Sequence, residues 1–172
     1  MTKCLFGGLF FEGHISKANA IYPRAKKDNQ ALVIFQGPNT YISPSWYKEK
    51  QKTGKVVPTW NYVAIHCHGA VEIIESSEWI LEHLNKLTEH NESNREKPWQ
   101  VSDAPKEFID GLESHIVGIK IRINHIDASW KMNQHHSKEN KLRVIKGLSA
   151  SPQSHDQEVA KVMKKVERSK KS

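Results

Sequence analysis

Two short segments of the chain repeat one combination of residue types. SPSWY occupies positions 43–47 and VPTWNY occupies positions 57–62, and each contains a proline, a hydroxyl residue, a tryptophan and a tyrosine. The aromatic rings offer flat faces for stacking, and the hydroxyl and amide groups can hydrogen-bond to the edge of a planar ligand. The combination indicates a site for a flat, polar ligand. The alternative is that these aromatic residues belong to the protein core, where tryptophan and tyrosine are often buried.

A ligand that carries a phosphate also needs a cation. Lys55 and Lys131 are the candidates, because each adjoins an aromatic motif rather than a run of charges. A second cluster, with a tryptophan, a lysine and an amide, lies far along the chain at 130–134. The candidate ligand-binding residues are therefore the aromatic, hydroxyl, amide and lysine side chains of these segments: Tyr41, Ser43, Trp46, Lys55, Thr59, Trp60, Asn61, Tyr62, Trp130, Lys131 and Gln134.

Other chemistries have weaker support in the sequence. His66 and His68 alternate on a predicted strand and share one face, but a zinc site needs three or four converging ligands, so we predict no metal site. Neither Cys4 nor Cys67 lies in a catalytic-cysteine motif, and two cysteines do not make a disulfide framework. We find no glycine-rich phosphate loop and no convincing helix-turn-helix pattern. The sequence therefore predicts no catalytic residue.

The charge of the chain favours an anionic partner. The 172 residues carry a formal net charge of +7, and the isoelectric point is near 9.4, which fits nucleic acid or an anionic cofactor. Part of the excess lies after Ser151, where six basic residues stand against three acidic ones. No secretory signal is evident, nor an apolar run of the roughly 20 residues that span a membrane. We therefore expect a cytoplasmic protein with no membrane contact.

Hydrophobic periodicity and turn residues predict strands first and then helices mixed with strands. Ser76 or Ser77 and Ser137 are predicted helix caps, and Ser154 with Gln157 forms a capping box for an amphipathic C-terminal helix. Turn-like links between adjacent strands favour an antiparallel sheet or barrel with helices outside it over a parallel βαβ sheet. The predicted elements are an irregular segment at 18–28, strands at 30–36, 40–43, 56–74, 117–126 and 129–134, a loop at 48–55, and helices beginning near Ser77, Ser102, Ser137 and Ser154.

A series of longer motifs runs from Gly13 to Leu148. In order they are GHISKAN, VIFQGPNTYISPSWY, GKVVPTWNYVAIH, REKPWQVSDAP, IVGIKIRINHIDASWKMNQ and VIKGL. This series resembles the PaiB-type negative transcriptional regulators, which are FMN-binding split-barrel proteins. The match consists of long literal stretches in a fixed order, and the resemblance is therefore specific.

The resemblance implies an α+β fold, mainly β: a split β-barrel with peripheral helices over residues 1–148, followed by a linker and a basic amphipathic helix at 149–172. It further implies a homodimer with flavin mononucleotide between the subunits. The function implied is repression of genes, of the kind needed for sporulation and extracellular protease production, and hence DNA binding. The two aromatic segments would then flank the flavin pocket or the dimer seam beside it.

Two departures from the family pattern modify this expectation. The segment before Gly13 is short, so we expect a barrel that is incomplete at its N-terminus, with strand edges that a second subunit would cover. Trp46 or Trp60 is then expected near the dimer interface. The Trp-Lys-X-X-Gln motif continues with His135, where the family usually has asparagine.

The fold alone does not choose among functions. Our first interpretation is a flavin-binding regulator of transcription rather than an enzyme. One alternative is a flavin-dependent oxidoreductase of the split-barrel type, and another is a relative that binds no cofactor.

Overall fold

The structure is a computed structural model that describes residues 9–169, with side chains as far as Arg168. Cys4, which the sequence weighed as a nucleophile, lies outside the described residues. The strands are β1 Phe10–Ser16, β2 Gln30–Ile42, β3 Thr59–Ile74 and β4 Ile116–Lys131. The α-helices are α1 Ile21–Lys27, α2 Glu49–Lys52, α3 Ser77–Glu92, α4 Lys106–Glu113, α5 Lys138–Ser149 and α6 Ser154–Ser169, and short 3-10 turns lie at Pro44–Trp46 and Val101–Asp103.

The four strands form one sheet in the order β1-β4-β3-β2. β1 pairs antiparallel with β4, so that Phe10 lies opposite Arg122 and Ser16 lies opposite Ile116. β3 and β4 approach each other closely at Gly69. A Cβ at this position would lie 2.4 Å from the carbonyl oxygen of Arg122 on β4, so a residue with a side chain would not fit. The predicted mixture of antiparallel strands and helices, and with it the α+β class, is confirmed.

β2 is longer than the sequence predicted. The segment Gly37-Pro38-Asn39 was expected to end a strand, yet β2 continues through it to Ile42. The physical reason is the position of β2 at one end of the sheet order. An edge strand has one row of backbone N–H groups without a strand partner, so a proline there need not remove a ladder hydrogen bond.

Three other predicted segments also differ from the structure. The sequence predicted separate strands at 117–126 and 129–134, but β4 is continuous from Ile116 to Lys131. The segment 18–28, predicted to be irregular, contains α1 with Pro23 in its first turn, where a missing N–H does no harm. The predicted loop at 48–55 contains the single-turn helix α2.

Two of the three predicted helix caps are confirmed, whereas the capping box of Ser154 with Gln157 stays a prediction, because the Gln157 side chain donates instead to the carbonyl oxygen of Ser151. The side chain of Ser76 accepts a hydrogen bond from the backbone N–H of Trp79, and that of Ser137 accepts one from the backbone N–H of Asn140. Helix α4 begins at Lys106, directly after Pro105 and a few residues later than the predicted start near Ser102. The two capped starts were predictable because a cap depends on residues that are close in sequence.

The chain divides into two compact units. The first comprises the residues up to Val33 together with Cys67–Ile126, and the second comprises Ile34–His66 together with the residues from Asp127 onward. Strands β2, β3 and β4 each contribute residues to both units. The sequence also predicted a boundary between a split-barrel domain at 1–148 and a linker and helix at 149–172. The division into two units does not test this boundary, which stays a prediction.

The second unit has a defined apolar core in which α5 and α6 pack together. Val159 and Met163 lie on the buried side of α6, as the predicted apolar stripe requires. No described helix has both the length and the apolar character needed to cross a membrane. The core of this unit consists of Ile42, Tyr47, Val63, Met132, Val144, Ile145, Leu148, Val159, Ala160 and Met163.

Candidate functional site

Two exposed aromatic side chains and a partly buried amide lie together on the second unit, and we call Asn39, Tyr41 and Trp60 the aromatic patch. Tyr41 on β2 and Trp60 on β3 are 48% and 51% exposed. Their rings meet edge to face, with centroids 6.5 Å apart and an interplanar angle of 64°. The indole Nε1 of Trp60 donates a hydrogen bond to Oδ1 of Asn39 at 3.1 Å. The sequence had selected Tyr41 and Trp60, and the structure brings them together.

Asn39 was missed by the sequence reasoning. Its side-chain Nδ2 donates to the carbonyl oxygen of Gly37 at 3.3 Å, and this contact holds the amide beside the indole of Trp60. Asn39 and Tyr41 are two residues apart on β2 and therefore project from the same face of the strand. That alternation was the available signal, but it was hidden because the strand was expected to end at residue 36.

The two tryptophans of the repeated motifs have different environments. Trp46 is partly buried and packs against the core of the second unit. A Cβ at Gly147 of α5 would lie 2.5 Å from the Trp46 ring, so the indole occupies the space that a larger residue would need. The structure therefore does not bring Trp46 to the aromatic patch, and its predicted contact with a ligand stays a prediction.

Successive residues of β3 alternate between the two faces of the strand. Trp60 and Tyr62 share one face, while Thr59 and Asn61 share the other. Asn61 is fully buried, its Nδ2 lies 3.6 Å from the sulfur of Met163, and its Oδ1 has no hydrogen-bond partner. Thus only part of the VPTWNY motif is on the side of the aromatic patch.

The turn after β4 is organised by Gln134. Its Oε1 accepts a hydrogen bond from the backbone N–H of Met132 at 2.7 Å, and its Nε2 donates to the carbonyl oxygen of Trp130. Asn133, inside this turn, has a φ of 56°, which is the left-handed region that asparagine tolerates better than most residues. The Gln134 amide therefore shapes the turn that follows Trp130 and Lys131. Trp130 is 46% exposed, and Lys131 is also exposed.

The remaining candidates, Ser43 and Lys55, lie in loops. Ser43 caps the 3-10 turn, because its Oγ accepts a hydrogen bond from the backbone N–H of Ser45 at 3.2 Å. Lys55 is exposed, and its backbone N–H donates to Oγ1 of Thr53 at 3.2 Å. A local hydrogen bond therefore orders the segment that carries the ammonium group of Lys55.

A buried polar cluster that the sequence did not predict links the SPSWY segment to the turn after β4. Tyr47 is 4% exposed, its ring stacks on His136 at 4.7 Å, and its hydroxyl accepts a hydrogen bond from Nδ2 of Asn133. Burial raises the pKa of Tyr47, and the hydrogen bond from Asn133 opposes that shift. The pKa of His136 is lowered, first by burial and then by the neighbouring His135.

Asn140 at the start of α5 extends this cluster. Its Oδ1 accepts a hydrogen bond from the backbone N–H of Lys48 at 3.1 Å, and its Nδ2 donates to Oε2 of Glu49 at 2.7 Å. The hydrogen bond from Asn140 lowers the pKa of the Glu49 carboxyl group. The cluster fixes the segment after Trp46 against α5, and its residues hold the surrounding structure in place rather than expose reactive groups.

The histidine pair in IHCHG does not gather further ligands. His68 lies near His125, with ring centroids 5.6 Å apart. Within residues 9–169, no three histidine, cysteine or acidic side chains are grouped so that they could hold a metal ion. Cys67 is a free and buried cysteine.

The aromatic patch and its surroundings fit a planar, partly polar ligand such as a flavin. The exposed rings of Tyr41 and Trp60 can stack on a flat ring system, and the amide of Asn39 can hydrogen-bond to its edge. The exposed side chains of Lys55 and Lys131 carry the positive charge that a phosphate requires. These groups are suited to binding and orienting such a ligand.

Comparison with known proteins is consistent with this chemistry. Residues 6–125 match the family described as "Putative FMN-binding domain". The protease synthase and sporulation protein PAI 2 of Bacillus subtilis is 30% identical over 154 residues, which cover 90% of this chain and 72% of that protein. An uncharacterised protein of Aspergillus fumigatus is 33% identical over 152 residues, which cover 79% of this chain. The chain spans only 58% of the length of that fungal relative.

A solved structure supports the predicted split barrel. The FAD and heme binding protein of Mycobacterium smegmatis has a TM-score of 0.51 and 10% identity, over 82% of this chain and 62% of that one. At this identity the likeness concerns the fold alone. The predicted fold, a split barrel of the flavin-binding type, is confirmed.

Proposed function

Because the chain belongs to this FMN-binding domain family, we propose that it binds flavin mononucleotide and acts as a PaiB-like negative regulator of transcription. The observation that carries the flavin half of this proposal is the aromatic patch. Tyr41 and Trp60 are about half exposed although each has a large apolar ring. Exposed rings with a hydrogen-bonding amide beside them are typical of sites that hold planar ligands.

Different residues bind the ring system, the polar edge and the phosphate of the flavin. The ring system of the flavin stacks on Trp60, and its polar edge hydrogen-bonds to the amide of Asn39. The phosphate pairs with Lys55 or Lys131, because a charge-assisted contact compensates the loss of phosphate hydration. When bound, the flavin supplies a group that can take up or release electrons, and this chain's residues hold and orient it.

The regulatory half of the proposal is supported by the relative from Bacillus subtilis, whose name refers to protease synthesis and sporulation. Repression requires contact with DNA, and α6 offers a suitable surface. Its buried side packs on α5, while Lys161, Lys164 and Arg168 are exposed, and Nζ of Lys164 donates a hydrogen bond to Oγ of Ser149 at 3.1 Å. Basic side chains at such spacing can contact phosphates of a DNA backbone. A cytoplasmic location is part of this proposal.

A homodimer completes the proposal. The second unit exposes several large apolar side chains on its strands, and such surfaces mark interaction sites more often than isolated exposed residues do. Trp60, rather than the partly buried Trp46, fits the interface that the sequence predicted. A second copy of the chain would cover the face that carries Tyr41 and Trp60 and could share the flavin. The exposed apolar residues of the strands in this unit are Ile34, Phe35, Tyr41, Trp60 and Trp130.

Spectroscopy of the purified protein tests the proposal. We expect a flavin absorption spectrum, either as purified or after addition of flavin mononucleotide, and mass spectrometry of the released compound identifies the cofactor. Trp60→Leu is expected to weaken binding by up to about tenfold, since stacking on an aromatic face contributes roughly 0.5–1.5 kcal/mol. The matched control is Trp99→Leu, because Trp99 has a similar exposure and lies in the first unit.

The outcomes separate the alternatives. Rapid oxidation of a reduced nicotinamide by the flavin-loaded protein would favour the oxidoreductase. Protein that neither contains nor binds a flavin would favour a relative without cofactor. Sedimentation of the protein at micromolar concentration tests the dimer, and a stable monomer there would contradict a flavin site shared between subunits.

A further inference from the structure

The first unit contains a surface groove that the proposed flavin site does not use. It lies between the C-terminal half of α3 and the segment that leads into the 3-10 turn at Val101–Asp103, and it has a volume of about 420 Å³. That volume is in the range of small-molecule sites. We call it the α3 groove, and it is lined by Asn85, Thr88, Glu89, Ser93, Pro98, Trp99, Gln100 and Val101.

The groove is built on ordered backbone. The carboxylate of Glu92, the last residue of α3, pairs with Nε of Arg95 at 2.9 Å and accepts a hydrogen bond from the backbone N–H of Trp99 at 3.2 Å. Gln100 and Asp103 form a reciprocal capping box around the following turn. These contacts hold the wall that carries Trp99 against the helix, so a ligand would meet a preformed site.

The charge of the groove favours a cation. Its lining residues include the carboxylate of Glu89 and no lysine, arginine or histidine. Among neighbouring basic groups, Lys86 pairs with Glu82, and Arg95 pairs with Glu92. The groove also lies at the C-terminal end of a helix of 16 residues, where the backbone carbonyls make the potential negative.

Two donors of the lining are bonded to the backbone of α3. Asn85 Nδ2 donates to the carbonyl oxygen of Leu81 at 2.9 Å, and Ser93 Oγ donates to that of His90 at 2.9 Å. These bonds commit donors to the helix backbone, whereas Oδ1 of Asn85 and both oxygens of Glu89 can accept. An anionic ligand would face the like charge of Glu89.

The opposite wall is aromatic. Trp99 is 46% exposed and follows Pro98, so an apolar face borders the carboxylate across a small site. An indole face attracts an ammonium group or the methyl and methylene groups next to it. A carboxylate and an indole around one site are complementary to a cation that carries apolar carbon.

We propose that the α3 groove binds a small organic cation, with its ammonium group at Glu89 and its carbon substituents against Trp99. This site is separate from the aromatic patch, since its lining residues all belong to the first unit. It would give the protein a second ligand whose binding does not require a flavin.

Nuclear magnetic resonance of the full chain provides the test. The chain has five tryptophans, so the indole N–H region is simple, and Trp99→Phe assigns the Trp99 signal. The cationic probes are choline and ethanolamine at constant ionic strength. The controls are acetate and 3,3-dimethylbutan-1-ol, which has the shape of choline without its charge. We expect the cations to shift the Trp99 signal and saturate, with the neutral alcohol binding at least about tenfold more weakly.

Two carboxylate variants complete the experiment. Glu89→Gln keeps the size of the side chain and removes its charge, and we expect it to weaken binding by about tenfold. Glu78→Gln removes a charge from the first turn of the same helix and should leave binding unchanged. Equal binding of choline and its neutral analogue, an unchanged affinity in Glu89→Gln, or no shift of Trp99 with either cation would each overturn the proposal. Trp60→Leu, which targets the flavin site, should not alter the result.

Discussion

The side-chain Nδ2 of Asn133 donates a hydrogen bond to the hydroxyl oxygen of Tyr47 over 2.9 Å, although the two residues are 86 positions apart. Both are almost completely buried, at 1% and 4% exposure. The bond joins the end of the SPSWY segment to the turn that follows Trp130 and Lys131. Two segments selected separately from the sequence are thus connected by residues that the sequence did not select.

We predict that Tyr47→Phe lowers the free energy of unfolding by about 1–3 kcal/mol, because it leaves the buried amide of Asn133 without a partner. Urea unfolding monitored by circular dichroism measures the change. Tyr22→Phe is the matched control: the Tyr22 hydroxyl donates to Glu75 at 2.6 Å on the exposed surface, and we expect a change of about 0.5 kcal/mol or less. Equal losses in the two variants would contradict the role of the buried bond.

What the sequence could predict was mostly local. Ser76 and Ser137 were identifiable as helix caps because their partners are three residues away. The continuity of β2 through Pro38 was not predictable in this way, because it depends on the place of β2 at the edge of the sheet. The edge position of β2 depends on how the other three strands pair, and the local sequence of β2 carries no information about that pairing.

In the candidate site, too, the features that could be predicted are local and the others depend on distant parts of the chain. Trp46 and Trp60 have similar local sequences, yet one packs on Gly147 and the other is half exposed. The difference arises from packing against α5, which begins about ninety residues after Trp46. Tyr41 and Trp60 could be selected by residue type, whereas Asn39 and Asn133 depend on strand alternation and on a distant contact.

The contact between Gly147 and Trp46 leads to the next prediction. A Cβ at Gly147 would lie 2.5 Å from the indole, so Gly147→Ala should destabilise the protein by about 1–3 kcal/mol. Gly111→Ala in α4 is the control, because a Cβ there meets no atom within 4 Å. Alanine has the higher helix propensity, so this control should instead stabilise by about 0.5–1 kcal/mol. Thermal unfolding that shows the same sign for both variants would contradict the packing argument.

The imidazole of His83 predicts a pH dependence of stability. His83 stacks on Trp79 with ring centroids 5.2 Å apart and meets His14 edge-on at 5.4 Å. Its pKa is lowered below 6.5, first by burial and then by His14, with Lys86 acting in the same direction and Glu12 opposing it. Between this lowered pKa and 6.5 the unfolded chain binds more protons than the folded one, so stability must fall as the pH falls below 6.5.

His83→Gln should reduce this loss of stability on acidification, because the variant cannot bind the proton that favours unfolding. The measurement is urea unfolding from about pH 8 down to about pH 5. Part of the dependence should persist in His83→Gln, since the pKa of His136 is also lowered. Identical pH profiles for the wild type and His83→Gln would refute the assignment.

The two lysines near the aromatic segments predict how the flavin phosphate is held. Lys131→Ala or Lys55→Ala should weaken binding of flavin mononucleotide by about ten- to a hundredfold, the effect of removing one charge-assisted hydrogen bond. Lys52→Ala, an exposed lysine at the end of α2, is the control and should bind normally. Riboflavin, which lacks the phosphate, should bind all variants equally. Unchanged titrations for both Lys131→Ala and Lys55→Ala would exclude these lysines as the phosphate site.

The outer face of α6 predicts how the protein binds DNA. Removing the helix would also remove the buried Val159 and Met163, so charge substitutions give a cleaner test than truncation. The triple variant Lys161→Gln, Lys164→Gln, Arg168→Gln should bind promoter DNA more weakly. The slope of log affinity against log salt should become shallower by about 0.9 for each DNA phosphate that the variant no longer neutralises.

A control triple with the same change of net charge separates a direct interaction of α6 from general attraction. Lys27→Gln, Lys97→Gln, Lys106→Gln removes three exposed charges from the first unit. If α6 binds DNA, only the first triple should show the shallower salt slope, measured by fluorescence anisotropy over a range of salt concentrations. Equal changes in both triples would mean that net charge alone attracts the DNA. Full binding by the α6 triple would show that its basic face is a solvated surface.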